Sequence, residues 1–403
     1  QSIMSQIGES YVLVETAEAV EHHLQAKLAS GDYETCTDVH AFARAVTADM
    51  QEISEDRHLR VWYDPEQADE IAQHKEDDTP SDDQDQRRMA FFRHQNYGFM
   101  KVERLTGNVG YLDLRYFVAS EASGETAVAA MNLLANSNAI IFDLRRNGGG
   151  SPSMVQLLTS YLLDAEPRHL NTFHFRPADS YRQFWTFPHV PGRRMPDLPV
   201  YVLTSKYTFS AAEEFTYNLK HMERATIVGE TTNGGAHPAQ WHSAAEGFVI
   251  AIPFGRAINP ITNTSWEGTG VEPHIAVPQE QALQTAHIHA LETVIERCTD
   301  DDTISWLKWG LEVARASYTP ADVDKETLSR YVGRYADRTI SLIDGVLTHE
   351  FMGLGERLIP ITESRFAVSP LEQVEFVTGA GGAVTHLVAT TYRGQQMTLP
   401  RAE

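Results

Sequence analysis

The sequence predicts an α/β protein with a largely parallel sheet, preceded by a helical segment and followed by a small β domain. Three observations carry that reading. Short apolar runs alternate with helical periodicity from Val109 to Gly229. Near the amino terminus apolar residues recur at spacings of three and four. After Pro320 the chain breaks into short strands separated by Gly and Asp.

Tyr11, Val14, Ala17, Val20 and Leu24 line one helical face, and Val39, Phe42, Val46 and Met50 another, with Gly31-Asp32 between them. Leu59 to Tyr63 alternates as a strand does. Residues 64 to about 96 are acidic and poor in apolar residues, and read as a solvated linker or a loop that orders on binding. Strands are then expected at Val109–Leu114, Ala139–Leu144, Leu198–Thr204 and Thr226–Gly229. Helices are expected at Thr126–Ala135, Ser153–Leu163 and Ala211–Lys220. The run Ala-Ile-Ile-Phe-Asp-Leu has the unbroken apolar character of a strand buried on both faces. Gln279–Arg297 and Ile304–Ala316 read as helices, and six short strands follow between Tyr331 and Thr390, with Asp344-Gly345 as a hairpin turn. The domain boundaries are thus 1–63 helical, 64–100 acidic linker, 101–300 core, 301–324 helical connector and 325–403 small β domain.

The formal net charge of −22 argues against nucleic acid as a partner, because a polyanion is repelled and no Lys/Arg cluster offsets this. Cys36 and Cys298 sit in no metal-type spacing and read as free, buried thiols, with one long-range bridge as the alternative. No metal or cofactor is implied, since H-E-x-x-H and Gly-Lys-Ser/Thr are both absent. No apolar run is long enough for a membrane span. The chain starts with Gln1, which suggests a removed leader and a periplasmic or secreted protein.

Four segments could carry chemistry. Asp143-Leu144-Arg145-Arg146-Asn147-Gly148-Gly149-Gly150 runs from a buried strand into three glycines, either a tight turn or a loop whose N–H groups face a ligand. Ser210 opens the helix after Thr204, either as a plain N-cap or as a nucleophile favoured by the helix terminus. Gly229-Glu230-Thr231-Thr232-Asn233-Gly234-Gly235-Ala236-His237 is a glycine-rich loop ending in histidine. Trp266-Glu267-Gly268-Thr269-Gly270-Val271-Glu272-Pro273-His274 is a second turn-rich stretch. Glu213 and Glu214 suit the first turn of a helix, or touch the substrate or the base.

In this order the four segments resemble the C-terminal-processing and tail-specific serine peptidases, closest to the branch similar to interphotoreceptor retinoid-binding protein and the tricorn core. Glu55-Asp56-Arg57-His58-Leu59 and the aromatic strand after it match that branch too. The resemblance covers about residues 1 to 300. It implies a crotonase-like (ClpP/crotonase) α/β core with an amino-terminal helical domain, and the family's usual PDZ domain has no room in the linker. It makes Ser210 the nucleophile and the N–H groups of Gly149 and Ala211 the oxyanion hole. The lysine base of the processing peptidases corresponds here to Gly235, so another base must serve. The tricorn pattern implies His58 as base with Glu267 supporting it, and His237 is the alternative. The implied activity is a serine endopeptidase acting on peptides or unfolded proteins through an acyl-enzyme. The competing readings are a non-catalytic binder of apolar, retinoid- or lipid-like ligands and an acyl-CoA enzyme. The last fits less well, since a serine at the helix start is not what that chemistry needs. Oligomeric state is not legible.

Overall fold

A computed structural model describes residues 1–77, 82–176 and 178–402. The chain folds into two compact units, one of residues 1–103, 111–136 and 141–282, the other of 104–110, 137–140 and 283–403.

The first unit begins with helices α1 (Ser2–Ser10), α2 (Val14–Ser30) and α3 (Val39–Ser54). Their apolar faces carry Ile7, Tyr11, Val20, Leu24, Val46 and Met50 into one core. Asp38 caps α3 by accepting the Ala41 N–H at 2.8 Å, and Glu55 ends it in the left-handed conformation, φ 53°. Strand β1 (Arg60–Tyr63) follows after a short turn.

The expected linker is instead helical. Helices α4 (Pro65–Asp77) and α5 (Asp82–His94) occupy it. Asp64 starts α4, accepting the Gln67 N–H at 3.1 Å, and Pro65 fits the first turn, where its missing N–H costs nothing. Ala68 is buried, and α4 lies against the strands that partner β1. Low apolar content misleads here because one small face is enough to dock a helix.

Strands β2 (Phe99–Leu105) and β3 (Val109–Leu114), helix α6 (Ser120–Leu134), strand β4 (Ala139–Asp143) and helix α7 (Pro152–Leu162) come next. Strands β5 (His169–Phe175) and β6 (Ser180–Trp185) precede β7 (Val200–Thr204), helix α8 (Ala211–His221) and strand β8 (Thr226–Gly229). Then come β9 (Ala239–Ser243), β10 (Phe248–Pro253), β11 (Gly255–Ile258) and the short β12 (Ile275–Ala276). The main sheet has the order β12-β8-β7-β4-β3-β2, and β8 pairs in parallel with both of its neighbours. Every residue of β4 and β7 is buried, as their apolar runs require.

The sequence reading assigns nothing to β5, β6, β9, β10 or β11. Strands β11, β5 and β6 form one small antiparallel sheet, while β1, β10 and β9 form another. In the latter, Arg60 to Tyr63 pair with Ala251 to Phe248. That pairing stitches the amino-terminal helices to the core of the same unit, with Leu59, Val61, Ile250 and Ile252 in their shared core.

The second unit carries helix α9 from its residue 283 onward (Gln279–Arg297), α10 (Asp301–Tyr318) and α11 (Lys325–Tyr331). Nine strands then form two antiparallel sheets, of four and five strands. Tyr335, Ile340 and Leu347 of one sheet and Phe366, Phe376 and Leu387 of the other share one core. Cys36 and Cys298 are free, and both are partly exposed rather than buried.

Candidate active site

Ser210 sits between β7 and α8 at φ 56°, ψ −121°. An L-residue with a side chain rarely adopts such angles, and sharp strand-to-helix turns of this kind present nucleophilic serines in α/β-hydrolases. The strain is held from several sides. The Ser210 N–H donates to Glu213 Oε2 at 2.9 Å. Gly149 lies so near that a Cβ on it would meet Ser210 Cβ at 2.7 Å and the Phe209 carbonyl oxygen at 2.9 Å. Its own φ of 105° also demands glycine.

Glu213 does more than favour a helix terminus. It is fully buried and takes the Thr232 hydroxyl and the Gly234 N–H (2.7 Å) on Oε1, and the Gly235 (2.9 Å) and Ser210 N–H groups on Oε2. One carboxylate thus ties the serine turn to the glycine-rich loop. Burial pushes its pKa up to about 7, against the pull of those four donors.

His58 lies in the turn between α3 and β1. Its ring rests on that of Phe209, with centroids 4.4 Å apart, which sets the imidazole beside the residue preceding Ser210. Burial pushes His58 down to about 4, the Asp56 charge opposing it, so the ring is neutral at pH 7 and able to accept a proton. Its Nδ1 is buried without a hydrogen-bond partner, 3.9 Å from Asp56 Oδ1.

His237 is placed differently. Its Nδ1 is hydrogen-bonded to Asp56 Oδ2 at 2.8 Å and stands 3.7 Å from Glu267 Oε2. Burial pulls its pKa down, but the Asp56 bond and the two carboxylate charges outweigh this and hold the imidazolium above its usual range. Glu267 Oε2 accepts the Ala236 and His237 N–H groups, the latter at 2.9 Å. Burial and the Asp56 charge raise Glu267 to about 7, with His237 opposing. Among the described residues no hydrogen bond or ion pair joins Glu267 to His58, the pairing that the sequence reading expects. Glu267 holds the backbone of the His237 loop, and the carboxylate nearest both imidazoles is Asp56, of the Glu55–Leu59 motif.

The two expected oxyanion donors stand differently from each other. No hydrogen bond engages the Ala211 N–H among the described residues. The Gly149 N–H donates to Asn147 Oδ1 at 2.8 Å, and Asn147 is itself fixed by donating to the Leu114 carbonyl. Gly149 can therefore serve an oxyanion only by sharing or releasing Asn147. His274 is structural, its Nδ1 accepting the Ile227 N–H at 2.9 Å.

Residues 108–277 match the model of peptidase family S41, and residues 1–91 match that of the N-terminal domain of Peptidase_S41 in eukaryotic IRBP. Residues 108–277 thus carry a domain of the S41 peptidase type, with an IRBP-type N-terminal domain before it. The carboxy-terminal processing protease CtpB of Bacillus subtilis (strain 168) is 26% identical over 208 residues, 51% of this chain and 41% of CtpB. This chain therefore spans less than half the length of that relative. A solved structure of a candidate peptidase from Parabacteroides merdae ATCC 43184 shares the fold, with a TM-score of 0.50 at 17% identity over 74% of this chain and 97% of that one. The tricorn protease aligns with a TM-score of 0.43 at 12% identity, over 73% of this chain and 36% of tricorn.

Within the S41-type region, position 235 has no room for a lysine. A Cβ on Gly235 would overlap the Phe209 ring and lie 2.7 Å from His58 Cε1. Gly235→Lys is expected to wedge that stack apart and to lower activity at least about a hundredfold. If the chain cleaves peptides with His58 as its base, the double variant His58→Ala/Gly235→Lys should be as inactive as His58→Ala in a peptide-cleavage assay. Activity regained by the double variant would show that a lysine base fits after all.

Asp56, His237 and Glu267 bring ligand-type atoms within 4.8 Å of one another, as do His23, Asp49 and Glu52. In the first group Asp56 Oδ2 meets His237 and Glu267 Oε2 accepts backbone N–H groups, while Glu267 Oε1 is buried without a partner; in the second, Lys27 stands 3.5 Å from Asp49.

Glu214, the next residue in α8, is 2% exposed, and its Oε1 has no partner. Burial lifts its pKa to about 8, and Asn171 beside it eases this only in part. Between an ordinary carboxyl pKa and 8 the native state keeps a proton that the unfolded chain has lost. Stability therefore falls as pH rises through that window, by up to about 1.4 kcal/mol per pH unit from this group, and levels off above it. Glu214→Gln, which resembles the protonated form, should match the wild type near pH 5 and show a shallower decline towards pH 8 in thermal melts. Parallel curves would mean that Glu214 is ionised throughout.

Proposed function

We propose that this chain is a serine peptidase that cleaves peptides or unfolded segments through an acyl-enzyme on Ser210, on a crotonase-like core. The observation that carries the reading is the strained turn at Ser210, which holds the hydroxyl at a helix start beside an unengaged Ala211 N–H. His58 acts as base in place of the lysine of processing peptidases. Its Nδ1 faces Asp56, which leaves Nε2 for the serine.

Ser210 Oγ attacks the scissile carbonyl carbon as its proton passes to His58. The oxyanion is received by the Ala211 N–H and, once Asn147 yields, by that of Gly149. Collapse breaks the C–N bond, and His58 returns the proton to the departing amine. Water then attacks the acyl ester through the same base, releasing the carboxylate and restoring Ser210. Glu267 supports the site by holding the backbone of the His237 loop, and His237 is the alternative base if His58 is dispensable. Residues 325–403 serve as an accessory β module, and 301–324 connect it.

A second reading, a non-catalytic binder of apolar ligands, is favoured by the engagement of the Gly149 N–H with Asn147. An active-serine phosphonate probe separates the two. The peptidase reading expects one adduct, on Ser210 by peptide mass, and slower labelling in His58→Ala. An intact, folded chain that takes up no probe and cleaves no peptide favours the binder.

A further inference from the structure

Asp56 is a fully buried carboxylate with two imidazoles, one phenol and one backbone N–H around it. Its Oδ1 accepts the His58 N–H at 2.9 Å and stands 3.9 Å from His58 Nδ1. Its Oδ2 accepts the Tyr11 hydroxyl at 3.1 Å and meets His237 Nδ1 at 2.8 Å. Tyr11 comes from the α1–α2 junction, His58 from Asp56's own turn, and His237 and Glu267 from the loops after β8 and β11. The charges of Arg60 and Arg256 reach His58 and His237 respectively. Among the described residues no lysine or arginine forms an ion pair with Asp56.

We propose that Asp56 is the positioning carboxylate of His58, orienting its ring and facing the imidazolium that forms when Ser210 gives up its proton. This rests on the peptidase reading of Ser210. A separation of 3.9 Å is too long for a hydrogen bond, but a small turn of the imidazole closes it, and such contacts tighten when substrate binds. The donors already on Asp56 suit the role. Tyr11 and His237 fix Oδ2 from one side, so Oδ1 stays aimed at the His58 turn. Among the described residues, His58 Nδ1, buried and without a partner, has no other carboxylate within ion-pair distance. Glu267 acts one step away, holding the loop that delivers His237 to Asp56.

The test uses the whole chain and an unstructured fluorogenic peptide, with kcat and KM measured from pH 5 to 10. Asp56→Asn should lower kcat by about a thousandfold or more while KM stays within about threefold. Asp56→Glu should recover part of that loss. Glu267→Gln should cost less than Asp56→Asn and keep the shape of the pH profile. Selective 15N-histidine labelling reads the same point without a change at Asp56. At pH 8 His58 should carry its proton on Nδ1, and the Nδ1 resonance should shift in Tyr11→Phe.

The proposal is overturned if Asp56→Asn keeps the kcat and pH profile of the wild type, if Glu267→Gln carries the larger loss, or if neutral His58 is protonated on Nε2. Should Asp56→Asn fail to fold, the tautomer and its response to Tyr11→Phe decide. Activity unchanged in Ser210→Ala would remove the peptidase reading itself, and the His58 tautomer would still settle whether Asp56 orients that ring.

Discussion

Ser210→Ala is expected to lower kcat for peptide cleavage by about ten-thousandfold or more and to abolish probe labelling, with the fold intact. The size follows from the chemistry. Without the oxygen no acyl-enzyme forms, and what remains is whatever the oxyanion donors and substrate binding supply over water. The fold should survive because Ser210 is only half-buried and alanine leaves no large cavity. The positive φ strains alanine as it strains serine, so Ser210→Ala should melt near the wild type. Ser210→Gly should melt slightly higher, since glycine adopts that backbone freely. A stability series in which glycine gains and alanine does not would show that the strain at this turn is real. Activity indifferent to Ser210 would end the serine-peptidase proposal.

Glu213→Ala is expected to be the most damaging single change for the first unit. It strands four donors at once, three backbone N–H groups and the Thr232 hydroxyl. Each buried donor left without a partner costs about 1–3 kcal/mol before water relieves it, so a total of about 4 kcal/mol or more is expected. Denaturant titration followed by tryptophan fluorescence would measure it. Gln in place of Glu should recover only part, because its NH2 is a donor facing donors. Since Glu213 ties the Ser210 turn to the 234–237 loop, probe labelling should fall further than stability alone explains. A folded Glu213→Ala protein labelled at the wild-type rate would show that the two loops hold their places unaided.

The alternation of β4, β7, α8 and β8 was legible because each run is short, apolar and bounded by its own turn residues. The place of Ser210 between a strand and a helix was legible, but position alone left it an N-cap or a nucleophile, and only the family resemblance chose between them. The pairing of β1 with β10 was not, although Val249 to Ile252 is an apolar run, because nothing local says which strand will lie beside it. Asp56 was hidden for the same reason. It stands two residues from His58, where a turn residue is expected, and its meaning comes from Tyr11 and His237, distant in sequence. Asn147 looks like an ordinary loop residue until its side chain is seen on the Gly149 N–H. Glu213 reads as a residue suited to a helix start, and only the fold brings the 232–235 loop to it. Helix α4 was missed through weighing composition above its Asp-Pro start.

The junction of β1 with β10 bears on when the protein can act at all. Asp56 and His237 meet across 181 positions of chain, and the amino-terminal helices reach the rest of the site by pairing strand to strand. During synthesis the proposed base therefore emerges early and the nucleophile much later, and neither is competent until β10 has been made and β1 has zipped onto it. Under the proposed mechanism a nascent chain that lacks β10 holds an inert serine, and the first segment plays the part of a cofactor carried in cis.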